Sequence, residues 1–269
     1  MRLGLIGYPL SHTLSPAMHT AALRALGLGG SYVALETPGE ALAQRLEELR
    51  REYRGVNVTV PYKEAVMSYL DSLSPEARSI GAVNTVVNHA GRLEGHNTDA
   101  PGFLKGLEEA GIEYRDAKVL ILGAGGAARA IAWALKQAGA QVRLANRTLE
   151  RAAQLQREFG LGEVTNDEWA LSGMARSSDL IVNTTTVGLK DPSATPLRAE
   201  WFPEKGTVVD IVYNPLETRL LREARAAGLK TLDGLPMLIW QGALAFELWT
   251  GVRPPVEVMY QAARETLGA

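Results

Sequence analysis

Lys63 sits in the stretch NVTVPYKEAV, residues 57–66. Asn57 to Val60 alternate polar and β-branched residues as a strand does, and Pro61 fits the first position of a following helix. On that reading Lys63 falls in the first helical turn, where unpaired amides and the macrodipole favour negative rather than positive charge. Two placements are open. One is a lysine that bends away into solvent, the commoner arrangement for this side chain. The other is an ammonium held at the C-terminal edge of a sheet, where α/β proteins keep their chemistry. There it could donate a proton to, or stabilise, an oxygen that gains negative charge. Asp99, in GHNTD, reads at this point as a cap for a helix beginning at Ala100.

A second chemical signal lies in KVLILGAGGAARAIAWAL. Gly123, Gly125 and Ala128 form a G-x-G-x-x-A pattern directly after a buried strand and at the opening of a helix, the context that makes this a dinucleotide-binding turn. Glycine permits the tight turn and close approach of a pyrophosphate, and the helix N-terminus offers it free amides. The candidate contacts are Gly123, Ala124, Gly125, Gly126 and Ala127. A carboxylate normally bonds the ribose hydroxyls ~20 residues beyond the glycines. Here that position reads Asn146, Arg147, Thr148. A carboxylate would repel a 2′-phosphate, whereas arginine pairs with it through charge-assisted bonds, so the pattern implies NADP rather than NAD. Arg151, one turn along the next helix, either closes on the same phosphate or is a surface arginine.

The first hundred residues hold the segments SHTLSP, NVTVPYK, GAVNT and GHNTD, each polar and each in a turn or at a strand end. Hydroxyls and amides gathered beside one sheet edge suit a small polyhydroxylated carboxylate ligand. Taken singly, each segment reads as ordinary capping and turn chemistry. Gln241, on an otherwise apolar helix, must bond something when buried: either a backbone carbonyl or a ligand hydroxyl.

The elements that would position these residues alternate between strand and helix along the whole chain. The first series reads βαβαβα, with strand-like LGLIG, SYVALET and GVNVTV and a helix over YKEAVMSYL. GAVNTVVNHAG and RLEGHNTD then suggest a hairpin, which would make this sheet mixed. A second series begins near residue 100, with KVLILG as a buried parallel strand and helices over 126–138 and 149–159. At 269 residues, and with ~150 typical per domain, two domains are expected. These are a mixed α/β substrate domain over 1–100, a Rossmann-type NADP domain over 101–236 with a cleft between them, and C-terminal helices over 237–269 that return to the first domain.

Composition narrows the function. Hydrophobic residues are 46% and charged residues 22%, ordinary for a globular chain. A formal net charge of −2 gives no general attraction for nucleic acid or an anionic membrane. The absence of cysteine excludes disulfides, thiolate metal sites and cysteine nucleophiles. His12, His19, His89 and His96 form no metal-binding helix motif, so no metal is expected. MRLGLIGYPLSH is too short and too broken by Gly and Pro for a signal-peptide core, and LPMLIWQGALAFELWTG falls short of a membrane span, so a cytoplasmic location is expected. Monomer and homodimer are both compatible with the sequence.

The ordered set GYPLSHTLSP, NVTVPYKE, GAVNT, GHNTD, GAGGAARA, NRT, DIVYNPLETRLL and GLPMLIWQGALAFELWTG resembles the shikimate dehydrogenase family over nearly the whole chain. The resemblance implies NADPH-dependent reduction of 3-dehydroshikimate to shikimate, in the route to chorismate and the aromatic amino acids. It implies that Lys63 and Asp99 are the catalytic pair. It further implies substrate contacts at Thr13, Ser15, Asn57, Thr59, Asn84, Tyr213 and Gln241, and cofactor contacts at the glycine turn, Asn146, Arg147, Thr148 and Met237. Thr13 and Ala100 depart from the serine and glycine usual in the family, and NTTTVGL from its commoner NATxxGL; none of these touches the implied acid and base. Two alternatives accompany this reading. One is a dual quinate and shikimate enzyme, disfavoured because Arg147 argues against NAD. The other is a catalytically silent NADP-binding regulator, which loss of Lys63 or Asp99 would have favoured.

Overall fold

A computed structural model describes residues 1–11 and 13–268; His12, in the first polar segment, and Ala269 lie outside the described residues. The chain forms two compact units, Met1–Gly102 with Ile239–Ala269, and Phe103–Leu238.

The first unit is a mixed α/β layer. It runs β1 (Arg2–Gly7), α1 (Ser15–Ala25), β2 (Ser31–Glu36), α2 (Leu42–Glu52), β3 (Gly55–Val58), β4 (Ser72–Leu73), α3 (Pro75–Ile80), β5 (Thr85–His89) and β6 (Arg92–His96). α4 (Asp99–Glu109) then leads out of the unit. The strands lie in the order β2-β1-β3-β5-β6-β4. β1 pairs in parallel with β2 and β3, while β5 runs antiparallel to both β3 and β6. The β5–β6 reversal takes only Ala90 and Gly91, both at positive φ (54° and 93°), the geometry that matches the twist of a two-residue hairpin.

That reversal positions the polar segments. β6 points the same way as β1 and β3, so the residues following all three strands emerge at one edge of the sheet. β5 runs the other way and begins at that same edge, which places Asn84 there. Alternation along β1 sends Leu3 and Leu5 into one core with Tyr32, Val87 and Trp249, and Ile6 into another with Leu46, Leu49, Val56 and Val58. Both faces of the sheet are therefore covered.

The second unit continues with β7 (Lys118–Leu122), α5 (Gly126–Gln137), β8 (Gln141–Ala145), α6 (Leu149–Phe159), β9 (Val164–Thr165), α7 (Glu168–Arg176), β10 (Leu180–Asn183), β11 (Thr207–Asp210), α8 (Arg219–Ala226) and β12 (Lys230–Leu232). α9 (Leu235–Thr250) then passes into the first unit, where α10 (Val256–Leu267) packs on α1. All strands of this sheet are parallel, in the order β12-β11-β10-β7-β8-β9, which is the doubly wound arrangement. β7 alternates Val119 and Ile121 into one core with Leu120 and Leu122 into the other, as a strand sandwiched between helix layers must. The C-terminal ends of β7 and β8, where such sheets bind ligands, carry the glycine turn and Asn146.

One local expectation is corrected. Pro61 does not open a helix: it follows a cis Val60–Pro61 peptide inside a turn that Tyr62 N–H closes on Thr59 O at 2.9 Å. Helical geometry begins only at a short 3₁₀ helix, Ala65–Tyr69. Lys63 therefore precedes the helix and does not lie in its first turn, and the macrodipole argument does not apply to it. No helix among the described residues is long and apolar enough to cross a membrane.

Candidate active site

At the edge of the first sheet, Lys63 Nζ donates to Asp99 Oδ2 at 2.6 Å, with side-chain exposures of 13% and 5%. The lysine backbone is tied down as well, since its carbonyl accepts from Val83 N–H at 2.7 Å. Asp99 opens α4, yet it is not the cap. Asn97 Oδ1 accepts from the amides of Asp99 and Ala100 at 3.1 and 3.2 Å, which leaves the Asp99 carboxylate free for other partners.

One of those partners is Asn84, whose Nδ2 donates to Asp99 Oδ1 at 3.0 Å, to Thr98 Oγ1 at 2.8 Å and to Gln241 Oε1 at 3.2 Å. Its Oδ1 accepts from Thr98 N–H at 2.7 Å, which fixes the amide's orientation. Gln241 is thus bonded through its oxygen to the side chain of Asn84. Its approach depends on Gly102, where a β-carbon would fall 2.7 Å from Gln241 N. One network thereby joins Lys63, Asp99, Asn84 and Gln241.

Asn57 lies on β3 opposite Thr85. Its Nδ2 donates to Asn84 O and Thr85 Oγ1, both at 3.2 Å, and its Oδ1 accepts from Tyr32 Oη at 2.8 Å. Thr59 follows β3 and is half-buried. After β1, Thr13 Oγ1 accepts from Ser15 N–H at 3.3 Å, and Ser15 is buried at the start of α1. His19, four residues on, is fully buried and stacks on Tyr32 with ring centroids 4.3 Å apart. Burial pushes its pKa down to about 3, so it is neutral across the ordinary range.

The remaining predicted residues belong to the second unit. Gly123 ends β7 with φ 115°, a conformation that favours glycine, and a β-carbon there would lie 2.4 Å from Thr184 Oγ1. Gly125 precedes α5 without any side-chain cap, and a β-carbon on it would meet nothing within 4 Å. Ala124 is buried, Gly126 and Ala127 are half-buried, and Ala128 packs into the core. The turn is therefore narrow on the sheet side and open outward, with first-turn amides available to an anion.

Beyond β8, Asn146 Nδ2 donates to Thr148 O at 2.7 Å, shaping the loop before α6. Arg147 and Arg151 are exposed, and neither belongs to any ion pair found among the described residues. The residues present fit an NADP molecule: a turn that a side chain would fill, uncapped amides and two arginines without acidic partners. Tyr213 is half-buried in the loop after β11, and Met237 is half-buried against the core of this unit.

Sequence reasoning missed Thr98, Thr85, Asn97 and Tyr32, which orient the predicted residues. Thr98 and Asn97 stand in the quoted GHNTD, and their signal was polar character at the end of a buried strand. It also missed Asp210 and Asn183, both fully buried at strand ends of the second sheet.

Known families match in three segments. The shikimate dehydrogenase substrate binding domain matches residues 5–86, shikimate / quinate 5-dehydrogenase residues 107–191, and the shikimate 5'-dehydrogenase C-terminal domain residues 234–264. The shikimate dehydrogenase (NADP(+)) of Thermus thermophilus is 57% identical over 268 residues, covering 100% of this chain and 99% of its own. That of Carboxydothermus hydrogenoformans is 47% identical, covering 96% of this chain and 95% of its own. A crystal structure of the Thermus thermophilus shikimate 5-dehydrogenase, in complex with NADP(H) and shikimate, superposes with a TM-score of 0.93 at 56% identity over 99% of each chain.

Proposed function

The chain belongs to the shikimate dehydrogenase family and is an NADP-dependent oxidoreductase acting on a CH–OH group, and we propose that Lys63 and Asp99 carry its reversible reduction of 3-dehydroshikimate to shikimate. This is a step of aromatic amino acid biosynthesis by way of chorismate. The observation that supports the assignment of residues is the 2.6 Å Lys63–Asp99 pair, held from its far side by Asn84.

Bound NADPH would supply hydride to the substrate carbonyl carbon. As that carbon is reduced, its oxygen gains negative charge and needs a proton. Lys63 Nζ donates it. Asp99 holds the ammonium in place through Oδ2, and Asn84 fixes the carboxylate through Oδ1, so the donor's direction is set before substrate arrives. In the reverse direction the same pair receives the hydroxyl proton. Thr13 and Ser15 bind the substrate carboxylate through their hydroxyls, and Asn57, Thr59, Asn84, Gln241 and Tyr213 bind its ring oxygens. Gly123, Ala124, Gly125, Gly126 and Ala127 seat the pyrophosphate, Arg147 and Arg151 pair with the 2′-phosphate beside Asn146 and Thr148, and Met237 completes the cofactor site. In this reading, Tyr213 and Met237 apart, residues 1–100 and 237–269 serve the substrate, residues 101–236 serve the cofactor, and the protein works in the cytoplasm.

The test is consumption of NADPH by the purified protein, followed at 340 nm with 3-dehydroshikimate beside 3-dehydroquinate, and with NADH in place of NADPH. Turnover confined to 3-dehydroshikimate with NADPH is expected. Binding of NADPH without turnover of either substrate would overturn the reading.

A further inference from the structure

The second unit buries a carboxylate that the proposed chemistry does not use. Asp210 ends β11 and is fully buried. Its Oδ1 accepts from Asn183 Nδ2 at 2.9 Å and from Val212 N–H at 3.0 Å, and its Oδ2 accepts from Thr218 Oγ1 at 2.7 Å. None of these partners is charged. Asn183, its neighbour in the sheet register, is also fully buried. Asn183 Oδ1 accepts in turn from Thr185 N–H at 3.0 Å and Thr185 Oγ1 at 2.7 Å.

The carboxylate thus ties together two loops at the C-terminal edge of the parallel sheet. The loop after β10 includes Thr184, the residue that a side chain at Gly123 would strike. The loop after β11 carries Tyr213 and ends at Thr218, whose Oγ1 caps α8 by accepting from Leu221 N–H at 3.3 Å. A satisfied polar network in a low-dielectric interior rigidifies what it joins, because each broken bond leaves a buried group unpaired. Packing alone would not need an anion at this position, since burying one without a countercharge is costly.

We propose that Asp210 is a positioning residue which, through Asn183 and Thr218, sets the wall beside the glycine turn and the loop bearing Tyr213. The inference rests on the reading of that turn as the NADP(H) seat and of Tyr213 as a substrate contact. The two arms are separable. Asn183→Ala cuts the link to the loop after β10 and is expected to weaken NADP(H) binding about 10-fold, with shikimate KM changed by less than about 3-fold. Thr218→Ala cuts the link to the loop after β11 and is expected to show the reverse pattern.

Asp210→Ala is expected to move both quantities. Asp210→Asn keeps an oxygen toward Asn183 and Val212 and offers an N–H to Thr218 Oγ1, so it is expected to restore both to within about 3-fold of the unaltered protein. NADP(H) affinity is read by titration calorimetry, and KM and kcat by steady-state rates, on the full chain. If the unaltered protein binds NADP(H) and all four variants stay within about twofold in both quantities, the inference fails while the functional reading stands. The inference fails equally if Asn183→Ala and Thr218→Ala lower thermal stability without the split in binding. An unaltered protein that binds no NADP(H) removes the functional reading and this inference with it.

Discussion

The two units treat their functional polar groups in opposite ways. In the first, Lys63, Asp99, Asn84, Thr98 and Gln241 bond one another, and the central carboxylate is 5% exposed. In the second, α5 begins uncapped and Arg147 and Arg151 face solvent. On the proposed assignment of substrate to the first unit and cofactor to the second, the ligands account for the difference. A small hydroxylated acid exerts a weak field and must be met by donors and acceptors already aimed, which requires each side chain to be held by another. A phosphate brings its own strong charge, so exposed guanidinium groups and free amides suffice to capture it. Pre-aiming has a cost: a buried pair such as Lys63–Asp99 stands only while each member keeps its partners.

The sharpest way to break this contrast is to remove the first unit's cation. Lys63→Ala is expected to lower kcat by about 10²- to 10⁴-fold with a much smaller change in KM, because the interaction strengthens only as charge develops. Asp99→Asn should also lower kcat, and the double variant should be little worse than the more damaging single one. Steady-state kinetics in which the two losses multiply would show that the pair does not act as a unit. Thermal denaturation of Lys63→Ala serves as the control for loss of folding, since that variant leaves Asp99 buried beside no cation.

In the second unit the expected effect is smaller and selective. Arg147→Ala should weaken NADP(H) about 10- to 100-fold and leave NAD(H) nearly unchanged, since only the 2′-phosphate distinguishes the two. Equal losses for both cofactors would remove the assignment.

Stability should respond to pH with opposite sign in the two units. His19 titrates near 3 when folded, because of burial, and near 6.5 when unfolded. The stability gained by keeping it neutral is complete above 6.5 and shrinks as the pH falls towards 3, by about 2 kcal/mol between pH 7 and pH 5. Asp210 is pushed up to about 6 by burial, against hydrogen bonds from Thr218, Val212 and Asn183 that pull it down. Its folded form favours the proton, so its contribution is present below about 4 and is lost as the pH rises through 6. Urea unfolding at pH 5 and pH 7 should therefore show a smaller acid loss in His19→Phe than in the unaltered protein. An identical loss in both would mean that His19 is not the group being titrated.

The smallest effect is expected at Ser15. Replacing it with alanine should raise shikimate KM by several-fold to about 10-fold at constant NADP(H) affinity, the loss of one hydroxyl contact to a carboxylate. An unchanged KM would reduce the first polar segment to a turn.

Much of this could be read from the residues. The apolar alternation in KVLIL announced a strand buried on both faces, the glycine spacing announced the turn after it, and the two polar segments around Ala90–Gly91 announced a hairpin in a mixed sheet. Short elements escaped. β4 and β9 span only two residues each, too few to show any periodicity, and the turn at Pro61 resembles a helix start because proline suits both.

The alternation of the longer strands and helices, the glycine turn and the two arginines beyond it are legible in the residues because they follow from local periodicity and side-chain chemistry, whereas Lys63 and Asp99 stand out as a pair through the family resemblance of the ordered motifs. Which of these residues meet follows from how the strands pair. Lys63 and Asp99 stand 36 residues apart, and Asn84 and Gln241 stand 157 apart. They meet because β5, antiparallel between two parallel strands, begins at the edge where β3 and β6 end, and because α9 carries Gln241 back into the same unit. Asp210 and Asn183 are joined by the register of β10 on β11. Strand direction and register are settled by which faces bury apolar surface across the whole sheet, and no single stretch of chain contains that information.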